Sequence, residues 1–100
     1  MKSFAQDLAL VILFEEDLIS TTVKELLPEC RSAIESADDI QNVTADVSRV
    51  KMIDSQGLNF LLSLYQASEE RNASFKVEGA SPTNARLFAF VNLKERFGVE

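Results

Sequence analysis

The chain has 100 residues, 46% of them apolar and 26% charged, an ordinary globular balance that excludes a disordered or collagenous chain. Its 10 Lys+Arg against 16 Asp+Glu give a net charge of −6, which argues against nucleic acid as a partner, because phosphates need basic side chains. There is no His and a single Cys, Cys30, so an intramolecular disulfide and Ser-His or Cys-His catalysis are excluded, and a zinc site would need carboxylates alone. The length fits a single domain over 1–100. The cysteine count fits a reduced, cytoplasmic setting.

No element is predicted for Met1–Asp7. The run Leu8-Ala9-Leu10-Val11-Ile12-Leu13-Phe14 is continuously apolar, as in a central strand covered on both faces. It is too short to span a bilayer, and Glu15-Glu16-Asp17 follow it with no cleavage site, so no membrane span or targeting segment is expected. Ser20-Thr21-Thr22 are N-cap candidates for a first helix. Its apolar face is Val23, Leu26, Leu27, Cys30 and Ile34, and it runs to about Ala37, with Pro28 expected to kink or break it. Cys30 falls on that apolar face and reads as buried.

Val43–Val47 reads as a strand lying beside Leu10–Leu13. After a turn at Ser48-Arg49, Val50, Met52 and Ile53 return to the core, and Asp54-Ser55 opens a second helix. Its apolar face is Leu58, Leu61, Leu62 and Tyr65. Phe60 and Leu64 form a second strip, either core or an exposed docking surface. Phe75–Val77 alternates as a strand, and Ser81-Pro82 starts a third helix carrying Ala85, Phe88 and Val91. Phe97-Gly98-Val99 is predicted as a last short strand. Alternating strands and helices imply an α/β fold with a mostly parallel or mixed sheet; periodicity leaves open whether helices cover one face or both.

Asp46 to Leu58 is the most informative stretch. A serine at Ser55 would sit beside free backbone N–H groups at the positive end of the helix dipole. Such a place suits a capping hydroxyl, and it also suits a phosphate. Glu15-Glu16-Asp17 reads as a solvated acidic turn, since consecutive carboxylates rarely converge on a cation. There is no nucleophile–base pair, Gly-rich phosphate loop or G-x-S-x-G elbow, so an enzyme is not expected and no cofactor or metal is implied.

In order and spacing, Asp46, Val47, Ser48, Ile53, Asp54, Ser55, Gly57 and Leu58 resemble the STAS domain of bacterial anti-sigma factor antagonists. Glu15, Asp17 and Ser20 match that family's acidic corner and capped helix. Ser81-Pro82, Arg86-Leu87-Phe88 and Asn92-Leu93 match its segment between the last strands. Phe14 stands where the family usually has Gly, and Gln56 where Ser, Thr or Ala is more usual.

The resemblance implies a STAS-like sheet of four to five strands with three to four helices. It implies Ser55 as phosphoacceptor and Asp17, Ser20, Asp54, Gln56, Gly57 and Asn59 as a partner-binding surface. The implied partners are a serine kinase of the anti-sigma, histidine-kinase-like type, bound when Ser55 is unphosphorylated, and a serine phosphatase. The chain itself would be a monomer or weak dimer. The alternative is a non-switching STAS scaffold subunit of a signalling or lipid-transport assembly, in which Ser55 only caps its helix.

Overall fold

The computed structural model describes residues 1–93 and 95–98. In chain order the elements are β1 (Lys2–Gln6), β2 (Ala9–Leu13), α1 (Ser20–Ser36), β3 (Asn42–Asp46), α2 (Ser55–Glu70), β4 (Ser74–Glu78) and α3 (Pro82–Phe90). The strands form one four-stranded sheet in the order β1-β2-β3-β4. β1 is antiparallel to β2, and β2, β3 and β4 are parallel. The expected α/β class is observed as a mixed sheet with three helices, and β2 lies inside it beside β3 as the apolar patterns require.

Each parallel step moves one strand over in the same direction. Right-handed crossovers therefore put α1 and α2 on the same face of the sheet. The burial rows agree. Leu10–Val43–Phe75 and Ile12–Ala45–Val77 are in register, and all are buried. The row on the opposite face, Phe4–Val11–Thr44–Lys76, runs from an exposed ring to an exposed ammonium. The core lies under α1 and α2, where Leu26, Cys30, Ile34, Leu61 and Leu64 meet the sheet. Phe60 and Leu64 are both buried, so α2 turns both of its apolar strips inward. Phe88 and Phe97 close the β4 side, edge-on to each other at 5.3 Å.

Four sequence expectations are corrected. Lys2–Gln6 is a strand, formed because β2 offers it a pairing edge. Leu8 leaves the apolar run to form a tight turn with Asp7, both at positive φ. Pro28 does not break α1, which continues from Ser20 to Ser36. It lies on the exposed side, where the Lys24 carbonyl deprived of its partner can be hydrated. Phe97 and Gly98 lie in a turn rather than a strand, and Val99 lies outside the described residues. The Ser81 hydroxyl caps α3 as expected, accepting from the Asn84 N–H at 3.1 Å.

One long-range brace holds the helical layer. Arg71, at the end of α2, donates from Nη1 to the carbonyls of Ile34 at 2.6 Å and Glu35 at 2.7 Å, and from Nη2 to that of Ala37. These carbonyls end α1, where the helix leaves them without internal partners.

Candidate functional site

The N-terminal turns of α1 and α2 meet at one carboxylate. Asp54 is the N-cap of α2, and its Oδ1 accepts from the Gly57 N–H at 2.9 Å. Its Oδ2 accepts from the Ser20 N–H, the first residue of α1, at 3.0 Å. α1 needs this, because its own N-cap is Ile19, which has no side-chain acceptor. The expected cap at Ser20-Thr21-Thr22 is thus corrected: Thr22 instead accepts from the Ile19 N–H at 3.1 Å. An anion between two helix N-termini is favoured by both dipoles.

The backbone below the carboxylate is as tightly specified. The Leu18 N–H donates to the Met52 carbonyl at 3.0 Å, and the Asp54 N–H donates to the Leu18 carbonyl at 3.1 Å. Gly57 rests on that same carbonyl: a Cβ built there would come within 2.1 Å of the Leu18 oxygen. Glycine is therefore what lets α2 approach the first crossover.

Ser55 is the first residue of α2 and is exposed. Asp54, not Ser55, supplies the cap, so the reading of Ser55 as a capping hydroxyl is overturned. Both residues are good caps by type, but Asp54 is the one placed three residues before the Gly57 N–H.

Asp17 also stands at this corner. Its Oδ1 accepts from the Lys51 N–H at 2.9 Å and the Met52 N–H at 3.2 Å, tying the loop that delivers Asp54. The acidic turn does not converge on a point. Glu15 meets Lys2 at 3.7 Å, and Glu16 meets the N-terminal ammonium at 3.6 Å. From the other side, the buried side chain of Asn84 on α3 donates to the Val50 carbonyl at 3.3 Å. At the start of the loop, Asp46 Oδ1 accepts from the Ser48 N–H at 2.9 Å and from its hydroxyl at 2.6 Å.

Beside the corner runs a groove of about 370 Å³ between α1 and α2. Its floor is Val23, Leu27 and Phe60, and its rim includes Ser20, Lys24, Gln56 and Asn59. Phe14 supports the floor from below, edge-on to Phe60 at 5.6 Å and fully buried. Met52 projects beside the corner, 59% exposed. Asp17, Ser20, Asp54, Ser55, Gln56, Gly57 and Asn59 are thus gathered around two helix starts. Ser20, Ser55, Gln56 and Asn59 are exposed, Asp17 and Asp54 are half-buried, and Gly57 is buried. Sequence reasoning did not find Lys24 or Asn84, and Met52, expected to return to the core, is exposed instead. Lys24 follows from its place on α1 one turn beyond Ser20, whereas Asn84 is brought in only by tertiary packing.

A family model described as "Mlab, STAS domain" matches residues 5–99. None of the curated proteins matches the chain in sequence. Among solved structures, the anti-sigma factor antagonist SpoIIAA in its unphosphorylated form superposes with a TM-score of 0.79 at 19% identity, over 94% of this chain and 82% of that one. The phosphorylated form of the Bacillus cell fate determinant SpoIIAA gives 0.72 at 19% identity, over 94% and 85%. A putative anti-sigma factor antagonist from Thermotoga maritima gives 0.84 at 13% identity, over 94% and 80%. A sulfate transporter family protein from Wolinella succinogenes gives 0.76 at 12% identity, over 95% and 75%. These likenesses describe a shared fold. Among the described residues no helix is long and apolar enough to cross a membrane. The family match spans nearly the whole chain, and the chain belongs to the STAS domain family.

Proposed function

We propose that this chain is a protein-interaction module of the anti-sigma factor antagonist type, whose partner docks over the N-terminal turns of α1 and α2 and is released by phosphorylation of Ser55. The observation that carries this reading is the placement of Ser55, exposed at the first position of α2 and left out of the cap by Asp54. A serine kinase of the anti-sigma type binds this corner and transfers the γ-phosphoryl group of ATP to Ser55 Oγ, releasing ADP and the hydroxyl proton. A serine phosphatase restores the hydroxyl. Phosphate adds about −1.5 to −2 charges and three acceptor oxygens. They arrive next to Asp54 in a chain whose net charge is already −6. A helix N-terminus tolerates phosphate, so the fold survives and the loss falls on the interface. In this reading the chemistry belongs to the partner and the chain has no catalytic role.

A non-switching scaffold subunit of a signalling or lipid-transport assembly is the second reading. The family description and the likeness to a sulfate transporter family protein favour it. There the same corner docks a partner while Ser55 stays unmodified.

Mass spectrometry after incubation with a purified anti-sigma-type serine kinase and ATP separates the two. The switch expects label on Ser55 alone, and Ser55→Asp binding about tenfold or more weaker than Ser55→Ala. Label on Ser48 or Ser63 instead, or equal affinity of the two variants, rejects the switch and leaves the scaffold.

A further inference from the structure

The sheet has two edges, and among the described residues only the β4 edge bonds through its backbone to another segment. At β4 the Val77 N–H donates to the Phe97 carbonyl at 2.6 Å, and the Phe97 ring is buried against Phe75 and Phe88. At β1, among the described residues, no backbone hydrogen bond reaches the strand except from β2. All five of its residues are exposed. The strand carries one charge, Lys2, with no proline and no break in its register with β2. Edges that must stay single are ordinarily blunted by such features.

The turn decides which backbone groups are free. Asp7 and Leu8 have φ of 53° and 68° and form a two-residue loop between Gln6 and Ala9. In a hairpin of this kind the flanking pair exchanges both of its bonds, and bonded pairs then alternate along the strands. Gln6, Phe4 and Lys2 therefore bond to β2. The N–H and C=O groups of Ser3 and Ala5 point away from the sheet.

We propose that this edge pairs with β1 of a second copy, antiparallel about a two-fold axis through Phe4. In that register Ser3 of one copy faces Ala5 of the other, and each such pair exchanges both of its free bonds. It is the only antiparallel register that pairs every residue of β1. Slipping it by one residue sets free groups against groups already bonded to β2. Phe4, 53% exposed on the uncovered face, meets its counterpart at a non-bonded position, where opposed side chains lie closest. Lys2 faces Gln6, so the register opposes no like charges in a chain of net charge −6. Five residues a side fall well short of the roughly 20–30 of a standard interface, so the dimer is weak and concentration-dependent.

Sedimentation equilibrium of the full chain from micromolar to millimolar concentration tests this. A monomer–dimer equilibrium is expected. Ala5→Pro removes an outward N–H without touching a bond to β2, and Phe4→Lys sets two ammonium groups face to face. Each is expected to weaken the dimer about tenfold or more. If Ala5→Pro fails to fold, Phe4→Lys and cross-linking decide. Mild oxidation is expected to link Phe4→Cys chains in pairs but not Gln6→Cys chains, because only position 4 meets itself; buried Cys30 stays out of the reaction. A chain monomeric at millimolar concentration overturns the proposal. So does a dimer indifferent to Phe4→Lys, or a Gln6→Cys chain that links as readily as Phe4→Cys.

Discussion

The Asp54 carboxylate joins the two helix starts by accepting the main-chain N–H of Ser20 at 3.0 Å, across 34 positions of sequence. The same carboxylate caps its own helix through Gly57. Asp54→Ala is therefore expected to remove a cap and a charge-assisted hydrogen bond together. The cost should be about 2 kcal/mol. At this chain length that lowers Tm by roughly 8–16 °C. Asp54→Asn keeps one acceptor oxygen and should cost less. Calorimetric melting of the two variants checks the order, and equal Tm for wild type and Asp54→Ala would reject the joint role.

Leu8 occupies a left-handed conformation, φ 68°, that costs a side-chain-bearing residue roughly 1–2 kcal/mol. It is also 47% exposed, so it gains little burial in return. Asp-Gly is a favoured pair for a turn of this kind. Leu8→Gly is expected to raise stability by about 0.5–1 kcal/mol, part of the relieved strain being offset by the freedom glycine has in the unfolded chain. A higher urea midpoint at unchanged slope is the expected result.

The central strands and all three helices were legible because their signals are local. An apolar run made β2, the i, i+3, i+4 spacing made α1 and α2, and Ser81-Pro82 made the start of α3. β1 was not legible. Lys-Ser-Phe-Ala-Gln has one strong strand former, and its turn lacks the glycine that would announce a hairpin. Asp54 and Ser55 are both capping types, so spacing alone left the cap open, and the geometry of the Gly57 N–H decides it. Arg71 and Asn84 reach partners 37 and 34 positions away, and no local pattern marks such contacts. Asp17 read as solvated acid because its partners are backbone amides, which leave no trace in sequence.

Burial pushes the Cys30 thiol from its ordinary 9.0 up to about 12, with the nearby Glu29 carboxylate adding to the effect. The folded chain thus holds a proton that the unfolded chain releases near pH 9. The associated stability is fully present below pH 9 and is lost as pH rises from there towards 12. The stability advantage of wild type over Cys30→Ala is expected to stay level at neutral pH and shrink above pH 9. A soluble thiol reagent at pH 8 should label Cys30 only as fast as the chain opens, since reaction needs the thiolate. Rapid labelling of the folded chain would contradict the burial.

Ser55 and Gly57 sit two positions apart on α2 and should respond to alanine in opposite ways. The Ser55 side chain is exposed and outside the cap, so Ser55→Ala should change stability by less than about 0.5 kcal/mol. Had Ser55 capped the helix, the loss would be about 0.5–2 kcal/mol. Gly57→Ala would drive its Cβ to 2.1 Å from the Leu18 oxygen and 2.9 Å from Ile53 Cγ2. The neighbour is backbone and cannot rotate away, so α2 must shift off the crossover, loosening the Asp54 bonds to Gly57 and Ser20. A cost above about 3 kcal/mol is expected, in the range reserved for a disrupted core. Chemical denaturation of both variants gives the two numbers. Amide exchange adds a local reading: Gly57→Ala should speed exchange at Ser20 and Asp54, while Ser55→Ala leaves both protected. A Gly57→Ala chain as stable as wild type would mean that α2 does not rest on Leu18 in solution.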